Sequence, residues 1–345
     1  MAELWLEPYE EAIGEFPITG SPRERLTAAL GWAVRAPSVH NTQPWRFRFA
    51  GDQVAIHLDP SRVLPRADPA GREATISCGA AIEFLHLTLR RFGFEAPVTL
   101  ASGSAGRSRQ LMGRVALGEP RRVDPTDRQL FEAIRWRATN RRSFSRKPVP
   151  EEVLARAVRR AKAVPGRLQL VRDPIDRAVI GDFVSDADRR QMADPAFRRE
   201  LAKWLRPVGS PKRDGIPAGS GKGPAAVKPL AALVVRTFDI GGGLAAMDRR
   251  ITTGSPVLAI LWSAADDQIG WLQSGRGLAR VLLSFAADGI AVSYLNQPLE
   301  VPAIREEIRT LYHRGGDHPQ LILRAGYGPT VAPTPRRAVA NVLQR

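Results

Sequence analysis

Apolar positions first recur with helical spacing between Ser21 and Arg35, in SPRERLTAALGWAVR. Ser21, Pro22 and Glu24 make a capping box with proline in the first turn, which predicts a helix from there to about Arg35. Ala36-Pro37 closes it, because proline biases its predecessor away from helical geometry. After the polar loop Ser38 to Gln43 the period changes to two. Trp45 to Phe49 and Val54 to Leu58 are predicted strands around a Gly51-Asp52 turn. GREATISCGAAIEFLHLTLRRFG then reads as a long apolar helix stopped by Gly93.

A related series follows downstream. Thr126 with Gln129 reads as a second capping box opening the helix DRQLFEAIRWRA, Glu151 to Ala163 as a further helix, and RLQLV as a strand. GWLQSGRGLARVLLSFAADG repeats the design of the long apolar helix with its stop at Gly289, and Gln320 to Arg324 reads as a buried strand. LGWAVRAPSVHNTQPWRFRF and LARAVRRAKAVPGRLQLVRD are weakly alike in order and pattern, which points to an ancient duplication with two half-units sharing one core. The expected divisions are an N-terminal extension over 1–20, a first half over 21–125 and a second half over 126–345. Within the second half, the Gly-, Pro- and Lys-rich stretch 206–230 is irregular, either a surface loop or a lid over a site.

The length of 345 residues is about twice a typical domain, enough for two domains or one large intertwined unit. The net charge of +16 would suit nucleic acid, but the arginines alternate with acids on helices, as in EEVLARAVRRAK, which is the pattern of a solvated surface. The single cysteine, Cys78, excludes an intramolecular disulfide and sits in an apolar helix, as a small buried hydrophobe does. The N-terminus MAELWLEPYEEAIGEF is acidic and lacks a basic leader, and no apolar run has the length of a membrane span, so a cytoplasmic protein is expected.

Several local patterns carry no chemistry. GSGKG at 219–223 has the wrong glycine spacing for a phosphate loop and Gly223 where Ser or Thr should stand. GGG at 241–243 lacks the spacing of a dinucleotide turn, and His313 and His318 match no zinc pattern. There is no GxSxG elbow, so neither a metal ligand nor a covalent nucleophile is assigned. What remains is RWRATNRRSF, where Arg137, Thr139 and Arg141 alternate and share one face of an extended segment. Two forked donors flanking a hydroxyl suit a phosphorylated ligand. Arg336-Arg337, near the C-terminus, reads either as a second anion anchor or as a basic tail.

Taken in order, PSVHNTQPWRF, RxTxR followed by Phe144, PQLILRAGYG and TPRR resemble the flavin-dependent nitroreductase superfamily, and more closely its Acg-like branch of NAD(P)H nitroreductases. The similarity runs over roughly residues 21 to 342 and takes in GREATISCGA, RDGIPA, GWLQSGRGLARVLL and QPLEVPAIR. It implies an α+β fold, a mixed β-sheet flanked by helices. Ordinary members form intertwined homodimers with FMN at the interface, whereas this branch looks like two fused half-units in one chain. A monomeric pseudo-dimer or a homodimer is therefore expected.

The resemblance also implies a site. Arg137, Thr139 and Arg141 would reach the FMN phosphate and ribityl chain, with Thr139 in place of the usual serine. The family block P-S-x-x-N-x-Q-P-W maps to Pro37, Ser38, Asn41, Gln43, Pro44 and Trp45, followed by Arg46 and Phe47. Ser38, Asn41 and Gln43 would serve the flavin's polar edges, and Pro44 and Trp45 would form an apolar wall. Arg336 and Arg337 match the family's phosphate-side position, and Asn296 lies in SYLNQP, where members pass backbone amides near the flavin's reactive nitrogen. One FMN per chain is expected, since the second half has no PSxxNxQPW block of its own. The implied activity is hydride transfer from NADPH or NADH through FMN to a small nitro- or quinone-like acceptor, which needs no protein acid or base. An FMN-binding or storage protein with a lidded site and no turnover is the alternative.

Overall fold

The computed structural model describes residues 15–103, 110–207, 209–217, 231–237, 239, 241–312 and 316–344. Residues 1–14 of the N-terminal extension, the GSGKG run, His313 and more than half of the expected lid lie outside the described residues. The first helix, α1 (Pro22–Ala33), carries both bonds of its capping box: the Glu24 amide donates to Ser21 Oγ at 3.3 Å and the Ser21 amide to Glu24 Oε2 at 2.7 Å. Strands β1 (Trp45–Ala50) and β2 (Gln53–Leu58) form an antiparallel hairpin whose register pairs Trp45 with Leu58 and Ala50 with Gln53. The long helix α2 (Arg72–Arg91) ends at Gly93, whose φ of 86° only glycine adopts without strain. Strands β3 (Val98–Leu100) and β4 (Leu111–Ala116) complete the first half.

The next helix, α3 (Pro125–Glu132), is capped by Asp124 rather than Thr126: the Asp124 side chain accepts from the Thr126 amide at 2.7 Å. Pro125 at the first helical position fixes the helix start one residue before the threonine. Helix α4 (Glu151–Ala161) and strand β5 (Arg167–Val171) follow. Two helices absent from the sequence expectations come next, α5 (Pro174–Ala193) and α6 (Pro195–Trp204), each opened by an Asp-Pro pair whose aspartate caps the first turn. Short strands β6 (Leu205–Arg206), at the edge of the expected lid, and β7 (Ile216–Pro217), inside it, pair in parallel, and helices α7 (Ala231–Thr237) and α8 (Gly241–Gly254) follow. The chain then runs through β8 (Val257–Ser263), α9 (Gln268–Ala287), β9 (Ala291–Tyr294), α10 (Gln297–Glu300), α11 (Pro302–Tyr312), β10 (His318–Gly326) and β11 (Leu343–Gln344).

The architecture is α+β. A five-stranded mixed sheet, in the order β11-β1-β2-β4-β3, belongs mostly to the first half, and a four-stranded antiparallel sheet, β5-β8-β10-β9, to the second. The C-terminal strand β11 crosses back to pair in parallel with β1, Phe47 opposite Leu343, which stitches the two halves together. Strand β8 is buried along its whole length, and its side chains alternate between two cores. Val257, Ala259 and Leu261 face the core beneath α4 and α9, while Leu258, Ile260 and Trp262 face the core beneath α5 and α11.

Helices α2 and α9 cross at the centre of the molecule with their backbones in contact. A methyl group at Gly79 would meet the Leu272 carbonyl, and one at Gly275 would meet the Ile76 carbonyl, so these two positions must lack a Cβ. Gly275→Ala is expected to lower stability by about 1–3 kcal/mol, read as a lower urea midpoint at unchanged m-value. The same crossing buries Glu83 completely, held by Arg276 at 2.7 Å and Arg280 at 2.6 Å. Among the described residues no helix is long and apolar enough to cross a membrane.

Candidate functional site

The loop after α1 is wound tightly. Asn41 N and Thr42 N donate to Ser38 and Val39 carbonyls at 3.0 and 2.8 Å, and Gln43 N donates to Ser38 Oγ at 2.9 Å. His40, Asn41 and Gln43 all have positive φ, at 46°, 55° and 51°. Left-handed backbone at histidine and glutamine costs free energy that the surrounding bonds must over-determine, a pattern concentrated at functional sites. The side chains supply those bonds. Asn41 Nδ2 donates to the Gly215 and Pro335 carbonyls at 3.1 Å each. Gln43 Nε2 donates to the Arg213 carbonyl at 2.8 Å, and its Oε1 accepts from the Arg337 amide at 2.8 Å. The loop therefore ties the described part of the 206–230 stretch and the C-terminal arginine pair to the first half.

Beside this loop lies a cavity of about 280 Å³, near the lower end of the size range of small-molecule sites. Ser38, His40, Thr139, Arg141, Tyr294 and Asn296 line it, with Ile216 from the lid stretch. The strip carrying Thr139 and Arg141 is pinned from two sides. Asn140 N donates to the Val292 carbonyl of β9 at 2.9 Å, and the fully buried Arg324 donates through Nη2 to the carbonyls of Asn140 and Arg142 at 3.1 and 3.0 Å. Arg324 also lies over the Phe144 ring, 4.1 Å from its centroid.

Arg141 lines the cavity, whereas Arg137, two residues earlier on the same strip, is not among its lining residues. Arg137 is buried with its Nε unpartnered, and its Nη2 reaches only the Arg35 carbonyl at 3.4 Å. Among the described residues neither Arg137 nor Arg141 pairs with a carboxylate, and burial pulls both guanidinium pKa values down. Tyr294 stands within the field of Arg137, Arg141 and Arg336, its hydroxyl buried without a partner, and burial raises its pKa to about 12 despite them. Burial, then Arg141, lowers His40 to about 4, so its ring is neutral near pH 7.

The cavity also has an acidic end, lined by Glu73, Asp188, Asp248 and Glu300. Glu73 accepts from Arg72 Nη2 at 3.3 Å and Asn296 Nδ2 at 3.1 Å, yet burial raises it to about 7. A carboxyl raised in the folded state keeps a proton that the unfolded chain releases, so its contribution to stability falls as pH rises through that window. Glu73→Gln is expected to gain stability relative to the parent protein as pH rises from about 5 to about 8, measured as the difference in urea midpoints.

Not every residue singled out in the sequence reaches the cavity. Ser38, Thr139, Arg141 and Asn296 line it, whereas the amides of Asn41 and Gln43 are consumed by protein bonds. Trp45 and Phe47 are fully buried in the core beneath the five-stranded sheet, so the wall expected from Pro44 and Trp45 does not face this cavity. Arg46 turns outward to Asp59 at 2.8 Å and the Asn341 carbonyl at 2.8 Å. Arg336 donates to the Ala36 and Thr334 carbonyls, and Arg337 Nη2 donates to the Asn341 carbonyl. Tyr294, His40, Glu73 and Glu300 were missed. Tyr294 sits inside SYLNQP and His40 inside PSVHNTQPW, but their local sequence does not say which way they point.

No family model matches the chain. The "Putative NAD(P)H nitroreductase Rv3131" of Mycobacterium tuberculosis (strain ATCC 25618 / H37Rv) is 32% identical over 329 residues, covering 93% of this chain and 91% of the relative. The chain belongs to this nitroreductase family. A second relative in the same organism, "Putative NAD(P)H nitroreductase acg", is 27% identical and covers 94% of this chain and 97% of its own length. Among solved structures, the FMN and NADPH-dependent nitroreductase NfnB from sphigopyxis sp. strain HMH is 21% identical with a TM-score of 0.39, covering 63% of this chain and 98% of that one.

Proposed function

We propose that this nitroreductase-family chain is an FMN-dependent oxidoreductase that passes hydride from NADPH or NADH to a small nitro- or quinone-like acceptor. The observation that carries the reading is the donor set at the cavity: the half-buried Arg141 that lines it, the buried Arg137 two residues earlier, neither with a carboxylate partner among the described residues, and the unpartnered Tyr294 hydroxyl. That donor set fits a flavin mononucleotide. Arg137 and Arg141 would hold the phosphate with Arg336 nearby, and Thr139, Ser38 and Tyr294 would serve the sugar chain and the polar edge. Bound there, FMN would supply the two-electron chemistry. The protein's part is to orient it, exclude water and place fixed positive charge beside it.

The deciding experiment is anaerobic stopped-flow absorbance of the FMN-loaded protein mixed with NADPH or with NADH. Rapid bleaching of the oxidised flavin band is the expected result, and a flavin that stays oxidised with both sinks the reductase reading. A second reading, an FMN-binding protein without turnover, draws support from the lid stretch. Gly215 N donates to the Asn41 carbonyl at 3.2 Å and Ile216 lines the cavity, so part of the lid is laced down over the site. Bound but unreducible flavin is the outcome that reading expects.

A further inference from the structure

Glu300, the last residue of α10, borders both this cavity and a second one. Inward it lines the acidic end of the proposed flavin site. Outward it lines a groove of about 250 Å³ with Asp68, Arg72, Arg305, Glu306 and His318, and Glu306 in that groove is exposed to solvent. Glu300 therefore borders both the site and a groove whose rim is exposed to solvent.

The contacts of Glu300 also distinguish it from its neighbours. Glu73 has a guanidinium at 3.3 Å, and Gln297 Nε2 donates to Asp188 and Asp248 at 3.2 Å each. Glu300 has no cation within ion-pairing distance among the described residues. It accepts from the neutral amide of Gln191, Nε2 to Oε2 at 2.6 Å. Burial raises its pKa well above the usual carboxylate range, and Glu73 and Asp68 add to the rise against the opposing pull of Gln191 and Arg72. Arg305 acts on the neighbouring Arg72 and Glu73, and Arg141 also lines the cavity. In this setting the protonated form of Glu300 is favoured beyond the ordinary carboxylate range, and Gln191 leaves its Oε1 free to carry the proton.

We propose that Glu300 delivers the proton that reduction of the acceptor consumes, taking it from the outer groove and giving it up inside the cavity. The inference rests on the oxidoreductase reading. Two electrons and one proton reach the acceptor as hydride originating on the reduced nicotinamide, whose C–H bond breaks. The acceptor is left with an oxyanion. As the new O–H bond forms there, the Glu300 O–H bond breaks, and the carboxylate regains a proton from water in the groove. For a quinone the balance is quinone plus hydride plus proton to hydroquinone.

The test compares the FMN-loaded parent protein with Glu300→Gln, reduced by NADPH and reoxidised by para-benzoquinone or by ferricyanide, which takes electrons without protons. The expected result is a ratio of quinone to ferricyanide reoxidation rates that falls about 10²-fold in the variant relative to the parent protein. An equal ratio in both proteins overturns the proposal while leaving the oxidoreductase reading intact. Failure of the parent protein to be reduced overturns that reading and the proposal with it. A second measurement needs neither turnover nor flavin. The infrared spectrum of the unloaded parent protein should keep the carbonyl stretch of a neutral carboxylic acid above about pH 7, where an ordinary glutamate is ionised. Absence of that band overturns the proposal even if the variant does not fold, and its loss in a folded Glu300→Gln assigns it.

Discussion

Replacing Arg137 and Arg141 together by alanine is expected to weaken FMN binding about 10³-fold, from roughly 2 kcal/mol for each charge-assisted contact. Either single change should cost about 10- to 10²-fold. The reason is the setting rather than the count of arginines. In a chain with 51 Lys and Arg, most arginines with described partners are paired with acids, as in Arg172–Glu151 and Arg249–Asp182. Arg137, buried, and Arg141, half-buried, instead have no carboxylate among the described residues to compensate their charge, which costs free energy unless an anion arrives. A corollary separates this from simple loss of a phosphate contact: without ligand, the double variant should be at least as stable as the parent. Fluorescence titration of FMN and urea unfolding of the unloaded proteins measure the two quantities. Unchanged FMN affinity would remove the phosphate assignment.

Glu83→Ala is expected to cost about 3–5 kcal/mol of folding stability, because it strands Arg276 and Arg280 in the interior of the helix crossing. Burial by itself would raise the Glu83 pKa, but the two guanidinium groups hold it down at about 2. A carboxyl depressed in the folded state contributes stability above its unfolded pKa, near 4.3, and loses it as pH falls toward about 2. Acid unfolding should therefore steepen across that window in the parent protein and flatten there in Glu83→Ala. Replacing all three residues with apolar side chains of similar size should recover most of the loss, since a buried ion cluster mainly compensates its own desolvation. A loss under about 1 kcal/mol for the single variant, measured by urea denaturation, would mean the crossing tolerates unpaired arginines.

Local patterns determined a good part of this protein. The capping box at Ser21 and Glu24, the hairpin from Trp45 to Leu58, and the two long helices closed by Gly93 and Gly289 were legible because each depends on residues within one or two turns of each other. The strip Arg137, Thr139 and Arg141 was legible for a chemical reason: forked donors flanking a hydroxyl suit few partners other than an oxyanion. Even at short range the reading slipped where two caps competed, since Asp124 followed by proline starts α3 before Thr126 can. In α5 the apolar stripe is weak, so its Asp-Pro start is the stronger local signal of a helix there.

Only the tertiary structure decided which side chains meet. Trp45 belongs to the core and Tyr294 to the cavity because sheet packing sets the direction of each, although both sit in short segments that the sequence had singled out. The amides of Asn41 and Gln43 look available in the sequence and are occupied by carbonyls some 170 or more residues away. The acidic end of the cavity gathers Glu73, Asp188, Asp248 and Glu300 from four helices, so no window of sequence contains it. Its chemistry is collective: burial raises the proton affinity of both Glu73 and Glu300, and nearby acids add to it, Asp68 for Glu73 and Glu73 with Asp68 for Glu300, only once the fold has brought them together. Sequence assigns each residue its charge and hydrogen-bonding groups, while solvent exclusion and long-range contact, which fix how strongly those groups act, exist only in the folded chain.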